Sequence, residues 1–160
     1  GISDSKVLDM QAGWEQGITN TLAGLSGLNL VYEAAGMHAS LLGFCHESLI
    51  LGDDIIGQVL RCVRGIEVTE DSLSIEVLKD VCMGGPGHYL GAAQTLGLME
   101  TEYLYPKLGN RMSPKEWEEA GRPGLLERAV MRKEEILARA PCMVPPDVDL
   151  AVRRGWRIHF

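Results

Sequence analysis

The chain has 160 residues, of which 46% are hydrophobic and 23% charged, and it carries a net charge of −7. These are ordinary values for a globular domain, and the acidic balance leaves no surplus of Lys and Arg to neutralise phosphates, so a nucleic-acid partner is not expected. No apolar run approaches the roughly 20 residues of a membrane-spanning helix, and no basic stretch followed by an apolar core marks a secretory signal, so no membrane partner is expected and a cytoplasmic location is.

The opening run from Gly1 to Glu15 joins a polar start to a helical pattern. Ser5 is placed to cap the first turn, and Asp4 suits the positive end of the helix dipole. Val7, Trp14, Ile18, Leu22 and Leu25 fall on one stripe, and Gly13, Gly17 and Gly24 on another. Glycines weaken a helix, so their repetition predicts another element packed close to that side. Leu28-Asn-Leu-Val-Tyr-Glu33 follows almost without a linker and reads as a buried strand, giving the helix-then-strand order of an α/β fold.

The remainder reads as helical. Asp53 is a cap candidate for a segment through Ile55, Val59 and Cys62, with Gly65 as its stop, and Thr69 opens a helix carrying Leu73, Val77 and Val81. Gly84-Gly-Pro-Gly87 breaks the pattern; without a preceding strand or a Gly-Lys-Ser/Thr ending it is a turn rather than a phosphate loop. Leu90, Ala93 and Leu96 predict a helix towards Glu100. Ser113-Pro-Lys-Glu116 has the form of a capping box with Pro114 at the first helical position, and Gly121 is its stop. A longer helix runs from Pro123 to a stop at Pro141. A last amphipathic piece begins at Pro145, with Arg153, Arg154 and Arg157 at its negative end.

The four cysteines, Cys45, Cys62, Cys82 and Cys142, show no paired spacing and read as small buried hydrophobes in a reducing compartment. Cys45-His46 invites a metal, but sequence neighbours rarely aim at one ion and no closed ligand set is visible, so no metal site is expected.

Several of these stretches together resemble one family. Ser3-Asp-Ser-Lys6 with Asp9, Gln11-Ala-Gly13 and Glu15, then Leu22-Ala-Gly-Leu-Ser-Gly-Leu-Asn-Leu-Val-Tyr32, is similar to the trimethylamine methyltransferase family of corrinoid-dependent enzymes. The resemblance continues through Gly36-Met37, Leu60-Arg-Cys-Val-Arg-Gly-Ile66, Gly87-His-Tyr-Leu-Gly91, Gly124-Leu-Leu-Glu-Arg-Ala129 and the Glu-Ile-Leu-Ala run to Ala138, in order along nearly the whole chain. It implies a (β/α)8 barrel. A closed barrel needs at least about 200 residues, and these motifs belong to the carboxy-terminal third of the family. The fold expected is therefore α/β: the C-terminal part of a (β/α)8 TIM barrel, mostly helical, with one or two short parallel strands. Residues 1–160 would form a single portion, with the last βα units in 1–65 and terminal helices in 66–160.

The activity implied by the resemblance is methyl transfer from a methylated or quaternary amine to the cobalt of a corrinoid on a separate small protein, with none bound directly by this chain. Trimethylamine-specific members carry pyrrolysine in the barrel; others act on quaternary amines such as glycine betaine. In a barrel the site lies on loops after the strands, which places Glu33, His38 and Phe44 as substrate-binding candidates. His38 would hydrogen-bond a substrate carboxylate or position a quaternary ammonium, Phe44 would face a methylammonium by cation–π attraction, and Glu33 would compensate the positive nitrogen. Their plain alternatives are a loop histidine satisfied by backbone, core packing, and an ion pair. Ser3, Asp4 and Ser5 form a second candidate, a loop before a helix that faces the cofactor or simply caps. His88 completes the cofactor-facing set by its match to the family's Gly-His-Phe/Tyr-Leu pattern, although Ala92 and Gln94 stand where many relatives have histidines; packing is its alternative. No catalytic residue is assigned. A corrinoid protein, a small methylated amine and a second copy of the chain are the expected partners, the last through an open barrel edge. A non-catalytic assembly or docking module, and an unrelated helical domain with a pocket lined by residues 33–46, are the competing readings.

Overall fold

The computed structural model describes residues 1–139 and 144–156; the expected stop at Pro141, Cys142 and the charge of Arg157 lie outside them. The described chain runs through α1 (Met10–Leu25), β1 (Met37–His38), β2 (Gly43–Phe44), α2 (His46–Arg64), α3 (Glu70–Leu73), α4 (Ile75–Cys82), α5 (Ala93–Glu102), α6 (Pro114–Glu119), α7 (Leu125–Arg139) and α8 (Pro146–Gly155).

Asp9, not Ser5, caps α1: its carboxylate accepts the Ala12 N–H at 3.0 Å, while the Ser5 hydroxyl donates to that same carboxylate at 2.9 Å. Ser5 therefore holds the cap rather than being it, and the helix starts later than the sequence pattern indicates. The apolar stripe of Trp14, Ile18, Leu22 and Leu25 is 54–63% exposed, and the buried side carries Ala12, Gln16 and Asn20. Periodicity shows which residues share a face; which face is covered depends on where the neighbouring elements lie. Of the helix glycines, only Gly24 meets another element closely, against Val63 and Val59 of α2; Gly13 and Gly17 face open space.

The expected strand at residues 28–33 is not formed. The segment consists of turns and bends, and no backbone hydrogen bond joins residues 29–33 to another described segment. A strand needs a neighbour for its N–H and C=O groups, and this stretch lies open, with Leu30 83% exposed. The strand pair that does form, β1 with β2, is antiparallel, with Met37 opposite Phe44 and His38 opposite Gly43. The short parallel strands of the expectation are not among the described elements. A parallel alignment does exist in looser form: Ser3 N–H donates to the Met37 carbonyl and Ala39 N–H to the Ser5 carbonyl, each at 3.1 Å, and Gly1 lies on the Ala34 carbonyl. The chain thus passes along one line, returns through α1, and runs beside its start in the same direction.

α2 begins at His46, so Asp53 and Asp54 lie mid-helix instead of at a cap, and Gly65, at φ 68°, ends it. Asp54 accepts N–H bonds from Lys107, Leu108 and Gly109 at 2.7, 3.3 and 3.0 Å, pinning the loop before α6 to this helix. α7 packs along α2, with Ala129 fully buried. Thr69 caps a helix as its sequence indicates, but Ser74, in the left-handed region at φ 56°, divides the run into α3 and α4. The Ser113–Glu116 capping box with Pro114 forms as read.

The accessible surface is 12254 Å² for 17.5 kDa, whereas a compact monomer of that mass exposes roughly 7,900 Å². Only about half of the unfolded surface is removed from water instead of about 70%. Much of the apolar residue content therefore meets solvent.

Two glycines of α2 separate the effects of space and propensity. A Cβ on Gly52 would collide with Ala35, while Gly57 has nothing within 4 Å. Gly52→Ala should destabilise by about 1–3 kcal/mol through overpacking, and Gly57→Ala should stabilise by about 0.5–1 kcal/mol through helix propensity, as read from urea midpoints.

Candidate functional site

Among the described residues, six polar side chains are buried against five apolar ones, an inversion of ordinary core composition. Ser3, Ser5, Gln16, Asn20, His38 and Ser48 make up the polar set. Buried polar groups must find partners, and these do so where the opening loop, α1, the hairpin and α2 meet.

Ser48, in the first turn of α2, is the junction. Its hydroxyl accepts from Gln16 Nε2 at 3.1 Å and lies 2.7 Å from His38 Nε2. Used as a donor, that hydroxyl satisfies Nε2 and leaves the proton of the neutral imidazole on Nδ1, which is buried without a protein partner. Four residues along α1, Asn20 donates to the Ala34 carbonyl at 2.9 Å. Ser48 beside His38 has the spacing of an activated nucleophile. Ser48 is nevertheless almost inaccessible, and no carboxylate among the described residues orients the ring from Nδ1. The pair positions the hairpin on α2.

The opening loop is a second, connected network. Glu15 accepts from the Ser3 hydroxyl at 2.7 Å, the Asp4 N–H at 2.8 Å and Gln11 Nε2 at 2.9 Å. The Ser3 hydroxyl, then Gln11, hold the Glu15 carboxyl below its usual range. The Ala12 N–H, then the Ser5 hydroxyl, do the same for Asp9. Asp4 accepts from the Ser40 hydroxyl at 2.6 Å, clasping the tip of the hairpin, where Ala39, Ser40 and Leu41 all have positive φ of 50–74°.

The start of α2 is anchored from the other side. Lys133 of α7 donates to Glu47 at 2.7 Å, and the Cys45 thiol donates to its second oxygen at 3.2 Å. Lys133, then Cys45, lower the Glu47 pKa to about 2.

Of the residues singled out in the sequence, Ser3, Asp4, Ser5 and His38 come together here. His38 is 5% exposed and faces inward. Phe44 is 54% exposed, with its ring at 83° to that of His46 and a centroid distance of 5.3 Å, and Glu33 is exposed at φ 52°. His88 lies on the exposed turn after α4 and makes no hydrogen bond to this cluster. The sequence reading missed Gln16, Asn20 and Ser48 as site residues. The signal was available: Ala12, Gln16 and Asn20 recur every four residues as a small-to-polar stripe on α1. Among the described residues, no three His, Cys, Asp or Glu side chains gather as a metal site, and no helix is long and apolar enough to cross a membrane.

Comparison with known proteins gives a match to the family described as trimethylamine methyltransferase (MTTB) over residues 1–156. A glycine betaine methyltransferase of Desulfitobacterium hafniense (strain Y51) is 31% identical over 150 residues, which are 93% of this chain and 31% of that protein. The trimethylamine methyltransferase MttB of Methanosarcina barkeri (strain Fusaro) is 34% identical over 148 residues, 92% of this chain and 29% of the relative. A trimethylamine methyltransferase MttB of Desulfitobacterium hafniense (strain DCB-2) is 31% identical over 154 residues, 96% and 30% respectively. The chain thus spans about 30% of the length of the relatives it matches.

Two measurements test the anchoring of the start of α2. Ser48→Ala strands the Gln16 amide and His38 Nε2 and should cost about 1–3 kcal/mol, against under about 1 kcal/mol for Lys107→Ala at the exposed 3.8 Å pair with Asp53. The Glu47 carboxyl is depressed in the folded state, so its contribution is complete above the ordinary value of 4.5 and is lost as pH falls towards about 2. The stability gap between the unmodified chain and Glu47→Gln should therefore close across that window in urea titrations at successive pH values; a gap that stays constant would exclude the linkage.

Proposed function

The chain belongs to the trimethylamine methyltransferase family, and from that premise we propose that it is the C-terminal part of a (β/α)8-barrel methyltransferase acting on a methylated or quaternary amine. The observation that carries the proposal is the ordered family match over residues 1–156 in a chain spanning about 30% of its relatives. Its surface excess supports the same reading, because walls of a larger body expose what the rest of that body would cover. So does the parallel course of residues 1–5 and 34–39 on either side of α1, the path of a βαβ unit.

In this proposal the loop and hairpin ends form part of the barrel mouth. Phe44 offers an open ring face to the methylammonium group, worth about 0.5–2 kcal/mol, and Glu33 supplies negative charge near the cationic nitrogen. His38, held by Ser48, sets the position of the hairpin that carries Phe44. A corrinoid on a separate partner protein supplies the cobalt that takes the methyl group, and the amine leaves with the carbon–nitrogen bonding pair. The residues that fit contact with that group are the exposed Leu41 and Leu42 at the hairpin tip, beside the hydroxyl and carboxylate of Ser40 and Asp4. The chain's part is positioning and electrostatics. Cytoplasmic residence and self-association through the uncovered surfaces complete the reading.

The test joins this chain to the upstream region of the glycine betaine methyltransferase relative. Demethylation of glycine betaine and of trimethylamine is followed through the absorbance of a reduced corrinoid acceptor. Turnover of at least one amine is expected, with Phe44→Ala lowering kcat/KM by roughly 2- to 30-fold, as the cation–π magnitude requires. A folded fusion that transfers no methyl group from either amine would remove the reading.

A further inference from the structure

A large groove lies away from the polar cluster, between the α3–α4 pair and α5. It has a volume of about 1070 Å³, at the upper limit of the roughly 300–1,000 Å³ typical of small-molecule pockets. Ile66, Ile75 and Leu98 line it and are 79%, 48% and 41% exposed. Its rim is acidic: Glu67, Glu70, Asp71, Glu76 and Glu102, with Arg61 as the one cation among the described residues that line it. Arg61 pairs with Glu102 at 3.0 Å, a carboxylate it shares with Arg64 at 2.9 Å, and Glu76 pairs with Lys79 at 2.7 Å. Glu67, Glu70 and Asp71 have no ion-pair partner among the described residues.

Side-chain bonds tie the walls of the groove. Ser74, in the left-handed region at φ 56°, sets the angle between α3 and α4. Gln94 of α5 donates to the Asp71 carbonyl, and Arg61 and Arg64 of α2 both grip Glu102 at the end of α5. A preformed apolar trough between helices is the receptor half of helix-in-groove recognition, and a rim of one sign selects a ligand of the other.

We propose that this groove docks a basic amphipathic helix of a separate protein, its apolar face on Ile66, Ile75 and Leu98 and its lysines or arginines against Glu67, Glu70 and Asp71. The chain's own α8, offered by a second copy, fits less well. It sets Asp147 and Asp149 against Arg153 and Arg154 and brings no net positive charge to an acidic rim. The assignment stands whether or not the methyl-transfer reading does.

The probe is a synthetic helical peptide of about 14 residues, with leucines at i, i+3, i+4 and i+7 and lysines elsewhere. Binding to the full chain is followed by fluorescence anisotropy, with a glutamate-faced peptide for comparison. The lysine peptide should bind, and Glu70→Lys/Asp71→Lys and Leu98→Asp should each weaken it by about tenfold or more. Glu118→Lys/Glu119→Lys on α6 should leave its affinity within about twofold, and binding should fall as salt rises from about 50 to about 500 mM. Circular dichroism confirms that each variant is folded. Equal losses from the α6 and groove variants would reduce the effect to general charge attraction and overturn the proposal. Equal binding of the glutamate-faced peptide would overturn it as well, as would a self-associated chain that the groove variants dissociate, since that makes a second copy the occupant.

Discussion

A single buried hydroxyl orders the part of the molecule where the candidate residues meet. Ser48 joins α2 to α1 through Gln16 and to the hairpin through His38. Small residues meet where these elements touch, Gly52 against Ala35 and Gly24 against Val59 and Val63, and let the backbones approach. Packing of this kind offers limited hydrophobic stabilisation, so orientation falls to hydrogen bonds, which have direction where apolar contact has none. A hydrogen-bonded core also carries a penalty: each lost partner strands another buried group. The geometry around Ser48 is therefore specific and intolerant of substitution.

The second constraint is the shortage of cover. α1 presents Trp14, Ile18, Leu22 and Leu25 outward, and the stretch after it leaves Leu28, Leu30 and Tyr32 open. At about 25 cal/mol for each Å² of apolar surface, such exposure forgoes substantial stabilisation. Scattered exposed leucines are normal, but a continuous stripe on one helix next to an unpaired chain segment marks a surface made to be covered. In the proposed barrel that surface meets the strand and helix preceding this portion. The groove at α3–α5 differs in kind, since its walls are braced and its rim is charged.

Local signals in the sequence served well where the determinant was itself local. The Ser113–Glu116 box, the cap at Thr69, the stop at Gly65 and the break at Gly84–Gly87 all depend on residues a few positions apart. The failures have a common origin in non-local partners. Leu28–Glu33 has a strand composition but no neighbour to pair with, and α1 buries its polar stripe because α2 and residues 34–36 lie there. Ser3, Asp4 and Ser5 stand out in the sequence as a loop before a helix, and His38 as a loop residue after the expected strand; the structure brings them into one hydrogen-bonded region. Ser48 does not stand out, because a serine inside a helix carries no mark until its partner, 32 residues away in Gln16, is known.

Backbone geometry at the hairpin tip connects the two buried networks. Ala39, Ser40 and Leu41 take left-handed angles without glycine's freedom, at about 1–2 kcal/mol each for L-residues. Such a turn persists only where its surroundings over-determine it. Here Asp4 clasps Ser40, Ser5 accepts the Ala39 N–H, and His38, next in sequence, is fixed by Ser48. Asp4 is oriented in turn by its N–H bond to Glu15, which also holds Ser3. The strain at the tip is thus balanced by charge-assisted bonds from the opening loop. Loosening any one of Asp4, Glu15 or Ser48 would relax the turn and release Leu41 and Leu42 from their present projection. The opening loop and the hairpin consequently behave as one unit, and a ligand that touched either would be sensed by both.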